Sequence, residues 1–579
     1  MSFNFLPTNK TEMKQKGWSS IDVVIITGDA YVDHPSFCAA IIGRYLESQG
    51  FTVGIIAQPD WKRDEDFLSM GTPNLFFGIT AGNLDSMIAN YSPEKKHRRK
   101  DEYSEGGISG NRPDRAVIVY SNIVRKLFSD TPIVIGGIEA SLRRLAYYDY
   151  WDNKIRRSIL FDTRAEVLVY GMGEKAIAQI AKNIQNGDSL KGIKNTAYIS
   201  DSLPADDHII LPSFEEVSED KVKYSQSVKE YYTESVKKKP RTIVQACQKK
   251  YVITETPGVI NNDELNSVYM LPFTREAHPK YQKPIPAFSF VKHSVVSHRG
   301  CYGGCSFCTL NLHQGKYINS RSIESMLKEI KDIIIPQKDF KGYILDIGGP
   351  SANMYASKCE KDEGCIRVSC LVPNKCNNLK VDFQKQLQLL RQASSIKGIK
   401  KVFVNSGVRV DLALKCPEYM HELVANHVSG QLSIAPEHMS PSVLNAMNKP
   451  EFSIYEKFFS LFDKISSDVG KKQYIIPYFI ASHPGSSLTD MYMLAMYLKK
   501  NKMRVEQVQN YTPIPMTLSS CMYYTGINPM TGKPVYVPKS EERLLQRALL
   551  QPQFEDNRVL VKKALKMLGK EKDYAYLTR

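Results

Sequence analysis

An α/β chain built in two successive parts is what this sequence predicts: a doubly wound N-terminal sheet, then a partial (β/α)6 barrel. Three observations carry the prediction. Short apolar runs alternate with segments of helical period along most of the 579 residues, the order that builds parallel sheets with crossover helices. Several early runs end in glycine, at the strand ends where doubly wound sheets bind ligands. From residue 286 the alternation repeats six times with polar groups at each strand end, where barrels keep their chemistry.

In the first part IDVVIITG (21–28) reads as a buried parallel strand, and residues 36–49 follow with helical spacing. FTVGIIAQ (51–58), NLFFGIT (74–80), TPIVIGGIEAS (131–141) and AEVLVYGMGE (165–174) are the next four strands. A long polar segment, 82–115, interrupts them, and loops of that length are functional or disordered. Its run Lys95-Lys96-His97-Arg98-Arg99-Lys100 reads as a solvated loop, with a phosphate or RNA contact as the alternative. Residues 1–200 form this domain, and 201–285 read as a connector packed on the larger domain, helical up to Pro240.

The barrel strands follow over 286–515: VKHSVVSHRG (291–300), KGYILDIGGP (341–350), KKVFVNSGVR (400–409), GQLSIAPEH (430–438), KKQYIIPYFIASH (471–483) and VEQVQNYTPIP (505–515). Helical stretches fit between them at 322–334, 382–394, 412–426, 441–468 and 488–500, and 516–579 is a C-terminal extension. A net charge of +16 permits an anionic partner. The N-terminal stretch MSFNFLPTNKTEMKQKGW has no apolar signal core and no run of eighteen apolar residues occurs, so a cytoplasmic protein without a membrane partner is expected.

The chemistry concentrates in cysteine. Of eleven, seven crowd between 301 and 376, a clustering that reads as metal ligation in a reducing compartment. Cys301, Cys305 and Cys308 stand as C-x3-C-x2-C in HRGCYGGCSFC. Three thiolates in one loop can hold three irons of a 4Fe-4S cube and leave the fourth open. S-adenosylmethionine can fill that position through its amino and carboxylate groups, and one electron then yields a 5′-deoxyadenosyl radical. Buried free thiols or a zinc site are the alternatives; zinc knuckles show paired C-x2-C units instead.

The loop CYGGCSFC resembles the cluster motif of the radical S-adenosylmethionine superfamily, and IGGPSAN (347–353) looks like its glycine-rich segment. RPDRAVIVYSN, GGIEASLRR, LHQGKYINSRSIES, DIGGPSANMY, LSIAPEH and VQNYTPIPMTLSSCMYYTGINP resemble the YgiQ-type family of uncharacterised radical S-adenosylmethionine proteins, from about residue 20 to 550. The resemblance implies a cobalamin-binding-like domain ahead of the barrel, Cys301, Cys305 and Cys308 as cluster ligands, and Gly348 and Gly349 seating the cofactor through backbone carbonyls. It also implies a one-electron donor of flavodoxin or ferredoxin kind. Cobalamin domains with a lower-axial histidine carry D-x-H-x-x-G. Asp33-His34-Pro35-Ser36 does not match, which leaves the corrinoid unassigned.

Cys359, Cys365, Cys370 and Cys376 form a second group, read as a second metal site, zinc or iron–sulfur, against a cysteine-rich loop without metal. Arg409 is a candidate for the cofactor carboxylate, with a surface salt bridge as the alternative. Asn405 and Glu437 are candidates for the ribose hydroxyls. His438 and His483 could move a substrate proton, but lone histidines are more often structural. Tyr523 and Tyr524 read as packing residues. Two further functions compete with a radical enzyme of unknown substrate: an RNA-modifying methyl- or methylthio-transferase, and an iron–sulfur redox sensor.

Overall fold

The structure is a computed structural model that describes residues 4–361, 363–503, 505 and 508–578. Glu506 and Gln507, within the expected sixth barrel strand, and Arg504 just before it lie outside the described residues.

Five parallel strands begin the first sheet, in the spatial order Val53–Ala57, Val23–Thr27, Phe76–Thr80, Ile133–Gly136 and Val167–Val169. This is the doubly wound order 2-1-3-4-5. The strands are apolar on both faces because helices cover both. Val23 and Ile25 point into a core with Ala40, Leu46 and Ile180; Val24 and Ile26 point into another with Val117, Tyr120 and Val124. The sheet then continues through Thr196–Ser200, Lys250–Thr254, Thr242–Cys247 and His208–Leu211. Residues 201–285, expected as a connector, therefore supply three strands of the same sheet. His208–Leu211 and Thr242–Cys247 pair in parallel across two helices, and Lys250–Thr254 adds antiparallel pairing on both sides.

The six later strands pair in parallel where expected. Ser294–Val296 lies beside Asp346–Gly348, Tyr343–Ile344 beside Lys401–Val402, and Gln431–Glu437 beside Tyr474–Ala481 and then Val508–Asn510. A register shift between Ile434 and Glu437 bends the fourth strand, a device that re-aims side chains. The C-terminal helices Ser540–Leu550 and Arg558–Met567 place Leu545, Leu549, Val561 and Leu565 in the core of this part.

The polar segment 82–115 is folded, with Asp101, Ser104 and Arg112 buried, and the basic run from 95 to 100 is exposed. Arg112 pairs with Asp29 at 2.8 Å and Asp101 at 3.1 Å beneath the sheet edge. Among the described residues no helix is long and apolar enough to cross a membrane.

Candidate functional site

The first of the later strands leads through His298–Arg299, paired antiparallel with Asn319–Ser320, into the cysteine loop. Glycine makes the turn. Gly300 has φ +92°, and a side chain there would strike the Tyr317 carbonyl; Gly304 has φ +63° and a Cβ would lie 2.5 Å from the Val368 carbonyl oxygen. The loop is then tied to distant segments. Cys301 N–H donates to the Gly315 carbonyl at 3.0 Å, and Ser306 N–H to that of Met447 at 2.9 Å. Asn448 Nδ2 donates to the Gly304 carbonyl at 2.6 Å.

Cys301, Cys305 and Cys308 are half-buried together. Burial and the neighbouring Cys305 push the Cys301 thiol up and the Cys308 thiol up to about 12. Such sulfurs become thiolates only beside positive charge. The protein supplies some: Arg409 Nη1 donates to Cys305 Sγ at 3.7 Å. Burial alone would lower Lys449, yet Tyr455, Glu437 and Cys305 hold it above the usual lysine range. A cluster of irons would supply the rest, so the donor set fits one. Among the described residues no three His, Cys, Asp or Glu side chains are arranged to hold a metal ion.

Arg409 is buried, so the surface salt bridge does not describe it. Asp411 receives its Nε at 3.0 Å and Nη2 at 2.7 Å, leaving Nη1 for the sulfur. Glu437, buried with φ +68°, faces Lys449 at 3.6 Å. Lys449 Nζ and Tyr455 OH both donate to the Ala435 carbonyl, at 2.7 and 3.0 Å. Lys449, Tyr455 and Asp411 escaped the sequence reading; they sit in no patterned string and only folding brings them to the cysteines.

Glycine at 348 and 349 is explained by packing. A side chain at Gly348 would meet Ser406, and one at Gly349 would lie 2.6 Å from the His298 ring. The Gly348 carbonyl already accepts Ser297 N–H at 2.7 Å and Ser297 Oγ at 3.0 Å. Ser297 N–H takes one acceptor site of that oxygen, while the single Ser297 hydroxyl hydrogen also has His298 Nδ1 at 2.8 Å to donate to. The Asn405 side chain donates to the Leu345 carbonyl at 2.6 Å at an exposed strand end. His438 and His483 are buried and bonded to Ser440, Ser486, Pro484 and Ser519. Tyr523 and Tyr524 pack on Tyr148, Tyr150 and Tyr224 of the first part.

A cavity of about 570 Å³ separates the carboxyl edge of the first sheet from the later strands, lined by Gly137, Gly173, His298, Arg299, Gly349 and Ser406 among others. Arg299 Nη1, His298 Nε2 and His313 Nδ1, all on lining residues, are buried without a hydrogen-bond partner among the described residues. His34 is not among the lining residues. Its Nδ1 accepts Ser36 N–H at 3.1 Å and its Nε2 meets Arg275 Nη1 at 3.4 Å. A second cavity, about 830 Å³, carries Lys191, Lys194, Lys237, Arg241 and Lys316 and reaches the Gly315–Tyr317 segment behind the cysteine loop.

Residues 5–294 match the family model described as radical SAM N-terminal, and residues 506–574 one described as a domain of unknown function, DUF3362. A UPF0313 protein of Clostridium botulinum (strain Okra / Type B1) is 48% identical over 577 residues, 97% of this chain and 90% of that protein. A UPF0313 protein of Methanosarcina acetivorans is 46% identical over 600 residues, 98% of this chain and 81% of that protein. Among solved structures, the radical S-adenosylmethionine methyltransferase TsrM from Kitasatospora setae, with cobalamin and a [4Fe-4S] cluster bound, aligns at TM-score 0.51 and 13% identity, over 96% of this chain and 99% of that one. At that identity the likeness is one of fold.

Proposed function

Because this chain belongs to the UPF0313 family of YgiQ-type radical S-adenosylmethionine proteins, we propose that it is an enzyme holding a 4Fe-4S cluster through Cys301, Cys305 and Cys308. When bound, cluster and S-adenosylmethionine supply one-electron cleavage to a 5′-deoxyadenosyl radical, chemistry that belongs to the cofactor. The observation that carries the reading is the glycine-hinged loop of three half-buried thiols with Arg409 on Cys305.

The chain's own residues orient and shield. Asp411 locks two of the Arg409 donors, so the guanidinium cannot swing and its remaining edge serves sulfur or a cofactor carboxylate. With one acceptor site of the Gly348 oxygen taken by Ser297 N–H, its other site and the Gly349 carbonyl are left to meet the amino group, and Asn405 stands at the rim for the ribose. Lys449 beside Glu437 adds positive charge under the loop. The cavity facing the first sheet takes the other reactant, and its unpartnered polar atoms ask for a ligand with hydrogen-bonding groups. A corrinoid held there would do without His34.

Anoxic reconstitution of the full chain tests this. The expected result is bound iron and sulfide, and 5′-deoxyadenosine once reduced protein meets S-adenosylmethionine. Alanine at all three cysteines removes the product. Product formation by that variant, or none by the iron-loaded parent, overturns the reading; the second outcome favours the redox sensor.

The basic cavity supports the RNA-modifying alternative. RNA retained on purification, with an affinity falling about a thousandfold or more between 50 and 200 mM salt, would favour it; salt-insensitive or absent binding would reject it.

A further inference from the structure

We propose that Cys359, Cys365, Cys370 and Cys376 hold a second iron–sulfur cluster, through which electrons enter the one at Cys301, Cys305 and Cys308. This rests on the function proposed above.

The four cysteines occupy one closed loop. Its base is pinned by antiparallel pairing of Lys358–Cys359 with Leu379–Lys380, which sets Cys359 opposite Leu379. Inside, Cys376 N–H donates to the Cys370 carbonyl at 2.7 Å, turning the chain back on itself. Cys370 is buried. Four sulfurs gathered in eighteen residues suit a cluster, whose own sulfides spread its ligands apart.

The loop is also built onto the first cysteine loop. Cys370 N–H donates to the Tyr302 carbonyl at 3.0 Å. Gly304 is held against Val368 and Ser369 so closely that a Cβ would not fit. Cys301, Tyr302, Cys370 and Cys376 share one small apolar core with Leu371 and Leu412. Residues 315–317 touch both sets. The Gly315 carbonyl receives Cys301 N–H, and the buried Lys316 Nζ donates to Cys365 Sγ at 3.2 Å and to the Arg367 carbonyl at 2.5 Å. A buried ammonium on a sulfur favours its thiolate and offsets the charge of a thiolate-bound cluster.

The outer face of the loop is open. Ile366 is 75% exposed, on a stretch whose exposed charges are mixed, Lys358, Glu360, Lys361 and Glu363. An exposed apolar residue beside the outer cysteines gives a one-electron carrier protein of the flavodoxin or ferredoxin class a place to dock. The reduced carrier loses one electron to the outer cluster, which passes it inward and returns to its starting state; no proton or bond is exchanged.

The test uses the anoxically reconstituted full chain as parent, as Cys301/Cys305/Cys308→Ala and as Cys359/Cys365→Ser, which alters only half-buried rim positions. With two cubes the parent holds about eight irons and each variant about four. The rim variant is expected to cleave S-adenosylmethionine with dithionite as reductant and to lose cleavage when a reduced flavodoxin is the donor. Equal iron in parent and rim variant, zinc at the outer loop, or flavodoxin-driven cleavage undiminished in that variant overturns the proposal. Loss of all iron in the triple alanine variant also overturns it while leaving the first cluster standing. Unchanged iron in the triple alanine variant instead sinks the first cluster.

Discussion

Methionine at Arg299 is expected to lower the free energy of unfolding by about 3–5 kcal/mol. Arg299 stands two residues before Cys301, and its Nη2 meets Glu174 Oε1 at 2.7 Å with both side chains about 95% buried. Glu174 opens the helix Glu174–Asn186 at the edge of the first sheet, so this pair joins the sheet to the cysteine strand. Burial would raise the Glu174 carboxyl, and the Arg299 guanidinium brings it below the usual range instead. Removing the arginine leaves that carboxylate buried and unpaired. Tyr269 OH, which accepts Arg299 Nε at 3.2 Å, loses its partner as well. Most of the loss should return when Glu174→Leu is added, since removing both charges removes the desolvation penalty. Urea midpoints of the two single variants and the double variant measure it. Additive effects, or a single-variant loss under about 1 kcal/mol, would show the pair to be no clamp.

Acidification between pH 6.5 and 4 is the second large effect. Burial holds His298, His313 and His438 at about 4 and His483 at about 3. Unfolded, each titrates near 6.5. Below 6.5 the unfolded chain takes up protons that the native one refuses. The stability these groups contribute is therefore complete above 6.5 and is lost as pH falls toward their folded values. A gap from 6.5 to about 4 corresponds to about 3 kcal/mol for one histidine. Asp29 opposes them: burial raises it to about 6, so its contribution is present below 3.8 and is lost as pH rises through 6. Glu139, Asp346, Glu437 and Asp463 are raised as well, but His34, His293 and His427 are lowered and Glu12 and Glu234 are held at about 2, so acid lability is the net result. Thermal midpoints from pH 7 to 4.5 should fall steeply, and His438→Gln with His483→Gln should flatten the curve. A level profile over that interval would mean that the imidazoles carry their charge in the folded protein.

The two parts of the fold were legible because their strands are apolar on both faces and end in turn residues. IDVVIITG and TPIVIGG announce themselves locally, and so do the six later strands. The strands of 208–254 were not legible: 208–211 and 242–247 pair in parallel across the helices of 214–235, but both are short, and 242–247 with 250–254 forms an antiparallel pair outside the repeating alternation. Within the site, the thiols of 301–308 and 359–376 are visible as spacing alone, since ligand type and loop length are properties of neighbours in sequence.

Everything that gives those thiols an environment came from elsewhere in the chain. Arg409 could be guessed, but its burial against Asp411 and its edge on Cys305 could not. Lys449 lies some 140 residues beyond the loop it serves, and Glu174 is equally remote from Arg299. Gly348 was expected to lend its carbonyl, which Ser297 N–H already engages at one acceptor site. Local order thus determined which atoms can bind metal, because covalent spacing limits what one loop can reach. Packing decided their charge and surroundings, because burial and ion pairing depend on distance through space rather than along the chain.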